Sequence, residues 1–194
     1  MECAMQKPSK KYYTPEEYLI REEAAAYKSN YHHGEIFDFS GASFNHSQII
    51  SNIHFALRQK RMNFNCRVAM NDLRVWIEAQ QSFVYPDIVL ICDKPQFLEN
   101  RDDTILNPKL IIEVLSDSTK DYDRGEKFVA YRAIPSFREY ILVDQYKRHV
   151  EQFHLGHEGK WILTEYDDPA AMVKCESIPF RISMNEIYEQ IEFR

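Results

Sequence analysis

Glycine is scarce, with 5 in 194 residues. Each sits at an element boundary: Gly34 and Gly41 flank a short strand, Gly125 lies in the first turn of a helix, and Gly156 and Gly159 mark a hairpin. No glycine-rich loop follows a strand, which excludes P-loop and dinucleotide-binding motifs. The 4 cysteines, Cys3, Cys66, Cys92 and Cys175, show neither zinc-ligand spacing nor a disulfide framework. Cys92 follows an apolar run and reads as a small core residue. No stretch approaches the roughly 18 apolar residues of a membrane span. Residues 1–11 lack the apolar segment of a secretory signal. The expectation is a reduced, cytoplasmic protein with no membrane partner. An excess of positive charge is missing too. A net charge of −6 excludes a globally basic nucleic-acid binder but leaves room for a local basic channel. There is no internal repeat, low-complexity tract or long linker.

What is present fits an ordinary globular chain, 44% hydrophobic and 28% charged, of a length that suits one domain. Residues 1–13 read as a loose tail and 14–194 as a single domain. Thr14-Pro15-Glu16-Glu17 opens a helix through a capping box, with proline at the first helical position, and the helix is expected to reach about Lys28. Glu35 to Phe39 alternates like a strand. A second helix starts at Asn45 or Ser47, buries Ile49, Ile50, Ile53, Phe55, Ala56 and Leu57, and ends near Arg58-Gln59-Lys60-Arg61. Strands follow at Arg67 to Glu78, Tyr85 to Cys92 and Lys109 to Ser116, the last two separated by a long polar loop. A helix over 123–134 is predicted, capped by Asp123 and Glu126 and stopped by Pro135. Then come a strand at Glu139 to Asp144, a hairpin of His149 to Leu155 and Lys160 to Tyr166, and a short helix capped by Ser183. This order gives an α/β fold, a mixed sheet flanked by helices.

Two carboxylates interrupt the most apolar runs, Tyr85-Pro86-Asp87-Ile88-Val89-Leu90-Ile91 and Leu110-Ile111-Ile112-Glu113-Val114-Leu115. Such runs look like buried central strands. A buried carboxylate costs several kcal/mol unless something neutralises it. Two on consecutive strands invite a shared hard cation, held by oxygen ligands with water and phosphate completing the shell. Lys127 opens the helix just downstream. The competing readings are structural: Asp87 as a strand-end cap, Lys127 as a salt-bridge partner of Asp123 or Glu113, and Asp72 paired with Arg74. His32, His33, His46 and His54 offer no third ligand at zinc spacing, so zinc ranks below magnesium. His46 lies at a helix start, either at the mouth of the site or merely near an N-cap.

These residues resemble the PD-(D/E)xK nuclease superfamily, in which Pro86-Asp87 matches the first element and Glu113-Val114-Leu115 the second. Leu115 stands where the superfamily lysine is expected. The chain more closely resembles the Uma2 family of endonucleases. The matching segments are Tyr13-Thr14-Pro15-Glu16-Glu17-Tyr18, Gly34-Glu35-Ile36, Ser40-Gly41-Ala42-Ser43 with Asn45-His46, Tyr85-Pro86-Asp87, Ile112 to Ser116, Tyr122 to Phe128, Tyr131-Arg132 and Ile134-Pro135-Ser136. In that family the catalytic lysine stands on the helix after the Glu strand, at Lys127 here.

The resemblance implies a restriction-endonuclease-like mixed β-sheet core with additional hairpins. It implies Mg²⁺ or Mn²⁺ held by Asp87, Glu113 and the Val114 carbonyl, Lys127 as the migrated catalytic lysine, and Glu35 as an outer ligand or base. The expected activity is metal-dependent hydrolysis of DNA phosphodiester bonds. A non-catalytic binding or assembly module on the same fold is the alternative, and an RNA nuclease a third reading. Arg58, Lys60, Arg61, Lys120, Arg124 and Arg132 are candidates for a phosphate channel, or a solvated surface. Ser116, Ser118 and Thr119 are candidate phosphate contacts, or turn formers. Phe153, Trp161, Tyr166, Tyr188 and Phe193 point to a homodimer.

Overall fold

The computed structural model describes residues 11–38, 42–59 and 66–193. Most of the expected tail, Gly41 and the Lys60-Arg61 end of the basic cluster lie outside them. The chain runs α1 (Pro15–Ala24), β1 (Ser29–His32), β2 (Glu35–Asp38), α2 (Phe44–Gln59), β3 (Arg67–Met70), β4 (Arg74–Ile77), β5 (Ser82–Val84), β6 (Ile88–Ile91), β7 (Thr104–Ile105) and β8 (Leu110–Leu115). It continues through α3 (Lys120–Tyr122), a π-helical turn (Asp123–Lys127), α4 (Phe128–Tyr131), β9 (Glu139–Asp144), β10 (Val150–Leu155), β11 (Trp161–Tyr166), β12 (Met172–Lys174), β13 (Arg181–Ser183) and α5 (Met184–Ile187).

A six-stranded sheet in the order β11-β10-β9-β8-β6-β3 forms the centre, beside a five-stranded sheet β2-β1-β5-β4-β7. Only β8 and β9 run parallel within the central sheet, and the α3–α4 segment makes their crossover. Side chains alternate across the sheet. Ile88, Leu90, Leu110, Ile112 and Val114 pack with Ile49, Ile50, Ile53, Ala56 and Leu57 of α2 on one face. Val89, Ile91, Ile111 and Leu115 pack with Phe128, Ala130 and Tyr131 on the other. Covering both faces explains why β6 is wholly apolar and β8 apolar at every position but Glu113. Each fully buried aliphatic chain contributes about 1.5–3 kcal/mol.

Several expectations need correction. The helix from Pro15 has its capping box but stops at Ala24, because Ser29–His32 pairs with β2. Phe55 is exposed, since it falls off the 49/50/53/56/57 stripe. The strand expected over 67–78 is two strands in different sheets, broken where Asn71 takes φ 55°. Asn is one of the few non-glycine residues that adopt this conformation readily. Asp72 and Arg74 do not pair with each other: Asp72 meets Lys28, and Arg74 meets Asp103. Cys66 and Cys92 form a disulfide, because the β3–β6 register that pairs Arg67 with Ile91 also sets these two opposite each other. Trp161 and Phe153 pack on Phe128, and Tyr188 is buried, so these aromatics serve the chain's own core. Among the described residues, no helix is long and apolar enough to cross a membrane.

Candidate active site

Antiparallel pairing of β6 with β8 sets Ile88 against Ile112 and Val89 against Ile111. One step further, the same register brings Asp87 opposite Glu113. The two are linked both ways: Asp87 N–H donates to Glu113 Oε2 at 3.3 Å, and Val114 N–H donates to Asp87 Oδ2 at 2.7 Å.

Glu113 points to the face covered by α3 and α4. The expected capping box at Asp123 is not formed. The helix begins earlier, at Lys120, and widens into a π turn over Asp123–Lys127. Such turns are rare and recur at functional sites. Asp123 and Lys127 are both buried here. Lys127 Nζ lies 2.8 Å from Glu113 Oε1 and 3.1 Å from Asp123 Oδ1. Tyr131 O–H donates to Glu113 Oε1 at 3.1 Å. His46, in the first turn of α2, places Nε2 3.3 Å from Asp87 Oδ2. Asp87 Oδ1 accepts no hydrogen bond among the described residues, and Glu113 Oε2 accepts only the long one from Asp87 N–H.

Charge is unbalanced in this pocket. Glu113, Asp123 and Lys127 are 3%, 2% and 4% exposed, and Asp87 adds a third carboxylate. One lysine pairs with Glu113 and Asp123, and Asp87 faces His46 instead. Burial pushes the Glu113 carboxyl up to about 8; Lys127 opposes the rise, and the charges of Asp87 and Asp123 reinforce it. Burial alone would depress the Lys127 ammonium, but Asp123 and Glu113 outweigh it and hold Lys127 charged well above its ordinary range. Without another cation, burial and the neighbouring carboxylates favour the protonated form of Glu113.

Of the residues expected from sequence, Asp87, Glu113, Val114 and Lys127 come together. Glu35 lies on β2, the edge strand of the smaller sheet, opposite His32. Burial and His33 lower the basicity of His32, while Glu126 and Glu35 pull it upward. Asp123, Tyr131 and His46 complete the site. Asp123 and Lys127 sit at i,i+4 in the sequence, a spacing that brings helical side chains together. Among the described residues, no group of three or more His, Cys, Asp and Glu side chains is arranged to hold a metal. Of the channel candidates, Lys120 pairs with Asp117, Arg124 with Glu151, and Arg132 lies over the Phe128 ring.

The family model of Uma2, described as "Putative restriction endonuclease", matches residues 15–185. This chain belongs to the Uma2 family. Two relatives come from Synechocystis sp. (strain ATCC 27184 / PCC 6803 / Kazusa). "Uncharacterized protein sll1609" is 39% identical over 152 residues, 78% of this chain and 86% of that protein. "Uncharacterized protein slr1290" is 31% identical over 182 residues, 93% of each. A crystal structure titled as a putative nuclease belonging to DUF820 from Anabaena variabilis ATCC 29413 superposes with a TM-score of 0.70 at 18% identity, covering 93% of this chain and 99% of that one. The Uma2 chain thus has the α/β fold of that protein.

Proposed function

We propose that this Uma2 protein is a divalent-metal-dependent endonuclease that hydrolyses DNA phosphodiester bonds. The observation that carries the reading is an excess of carboxylate: Glu113 and Asp123 share the one lysine, Asp87 lies against Glu113, and Asp87 Oδ1 and Glu113 Oε2 retain acceptor capacity. Two carboxylates, completed by water and phosphate oxygens, are a common way to hold Mg²⁺ or Mn²⁺. Asp87, Glu113 and the Val114 carbonyl would supply the protein oxygens. Bound there, the ion would polarise a phosphoryl oxygen and lower the pKa of water.

The chain's own residues do the rest. Glu113, anchored by Lys127 and Tyr131 through Oε1, presents Oε2. Lys127 uses two of its three N–H donors on Glu113 and Asp123, leaving one for a water or phosphate oxygen. A cation fixed beside the reacting group stabilises charge that develops during the reaction. Glu35, on β2, would serve as an outer ligand or base. A homodimer is part of the reading, and sedimentation tests it.

The test is cleavage of supercoiled plasmid with Mg²⁺ or Mn²⁺, beside an RNA of similar length. Nicking abolished by EDTA, with the RNA intact, is the expected result. One observation favours the second reading, a non-catalytic module: Lys127 already has two carboxylate partners, as a structural ion pair would. On that reading wild-type protein with bound Mn²⁺ cuts neither substrate.

A further inference from the structure

The N-terminus of α2 is tied to the end of β8. Ser43 Oγ accepts the His46 N–H at 3.1 Å, capping the helix, and donates to Gln145 Oε1. Gln145, 2% exposed, donates from Nε2 to the Leu115 carbonyl at 2.7 Å. Leu115 lies two residues beyond Glu113. This chain of bonds fixes where the first turn of α2 stands against the site, and it aims His46 at Asp87.

His46 is unusual in what it lacks. Its Nδ1 is buried with no hydrogen-bond partner among the described residues. An unsatisfied buried polar atom costs about 1–3 kcal/mol, and such exceptions call for an explanation at the position where they occur. The imidazole's contact with the site is Nε2, 3.3 Å from Asp87 Oδ2. The same oxygen accepts the Val114 N–H. Two groups from different elements therefore meet at one oxygen of Asp87, Val114 N–H through a hydrogen bond and His46 Nε2 through an ion-pair contact, while Oδ1 has no donor among the described residues.

We propose that His46 is a positioning residue for Asp87. With Val114 N–H it fixes the rotation of the carboxylate about its own axis, so that Oδ1 is the oxygen presented to a divalent cation. The role needs an N–H at the Nε2 position, facing Asp87 Oδ2. It rests on the metal-binding reading above.

The test compares wild type, His46→Gln and His46→Phe. Glutamine carries an amide Nε2 at similar reach, whereas phenylalanine keeps the ring and loses the donor. Mn²⁺ affinity is measured from the free-ion paramagnetic resonance signal, with thermal melting alongside. Partners that orient metal ligands are worth about 10–100-fold in affinity. His46→Phe is expected to weaken Mn²⁺ binding by about tenfold or more, and His46→Gln to recover most of the loss. Wild-type affinity in His46→Phe overturns the inference, as does a His46→Gln variant no better than His46→Phe. A lower melting temperature in His46→Phe with unchanged affinity also overturns it, because that is the mark of a purely structural role. If wild type binds no Mn²⁺, the metal reading falls first and this inference falls with it.

Discussion

Replacing Glu113 with glutamine should make the metal-free protein more stable relative to wild type as pH rises. The carboxyl is moved from its ordinary 4.5 to about 8 by burial, with Asp87 and Asp123 adding to the rise. A raised folded-state pKa means that the folded state binds the proton more tightly than the unfolded chain. Its stabilising contribution is therefore complete below pH 4.5 and lost as pH climbs to about 8. A shift of this size corresponds to about 5 kcal/mol at its limit. Glutamine keeps the shape and an acceptor for the Tyr131 hydroxyl but has no proton to lose. The assay is urea unfolding in EDTA at several pH values from 5 to 8, for wild type and Glu113→Gln together. The stability difference should swing toward the variant by several kcal/mol across that range, since all other titrating groups are shared. Saturating Mn²⁺ should then stabilise wild type, by about 2.7 kcal/mol at a hundred times its dissociation constant, and leave the variant nearly unchanged. Parallel pH profiles would refute the claim that Glu113 is a strained, proton-binding carboxylate.

Lys127→Met should spare Mn²⁺ binding and lower turnover by about 10²–10³-fold, the usual effect of removing one charge-stabilising donor. Cleavage at the wild-type rate would remove Lys127 from catalysis. The same change leaves Asp123 and Glu113 buried without their cation, so a loss of about 3–5 kcal/mol should appear in denaturant unfolding. Cys66→Ser should cost about 3 kcal/mol in oxidised protein, given a sequence separation of 26 residues. It should cost far less when wild type and variant are compared under reductant; equal effects in both would argue against a bonded pair. Thr14→Ala should lower stability by about 1 kcal/mol through loss of the capping box, read from the shift of a urea midpoint.

Legibility in the sequence followed the range of the interaction. The Glu139–Asp144 strand, the capping box at Thr14 and the cap at Ser183 were readable because their signals are local: an apolar run, or a Thr or Ser at the start of a helix. Asp87 and Glu113 stood out because a carboxylate amid aliphatic residues breaks a strong pattern. Lys127 needed the family resemblance, since a lysine in a helix start is commonplace. The π turn left no trace, because it changes which backbone groups bond without changing residue type. The partners set by register or by packing of distant elements were hidden for the same reason. Cys66 meets Cys92, Arg74 meets Asp103, and His46 meets Asp87 only once strands and helices are placed. The break at Asn71 had a weak local signal in the residue type, but not enough to divide the strand expected there.

The most direct test of the nuclease assignment is nicking of supercoiled plasmid by wild type and Asp87→Ala in parallel, with Mn²⁺ or Mg²⁺. Asp87 joins β6 to β8 at the site and keeps one carboxylate oxygen without a donor among the described residues. Metal-dependent nicking by wild type, lost in Asp87→Ala, is the result the account predicts. Equal cleavage by both proteins, or none by wild type with metal bound, would contradict it.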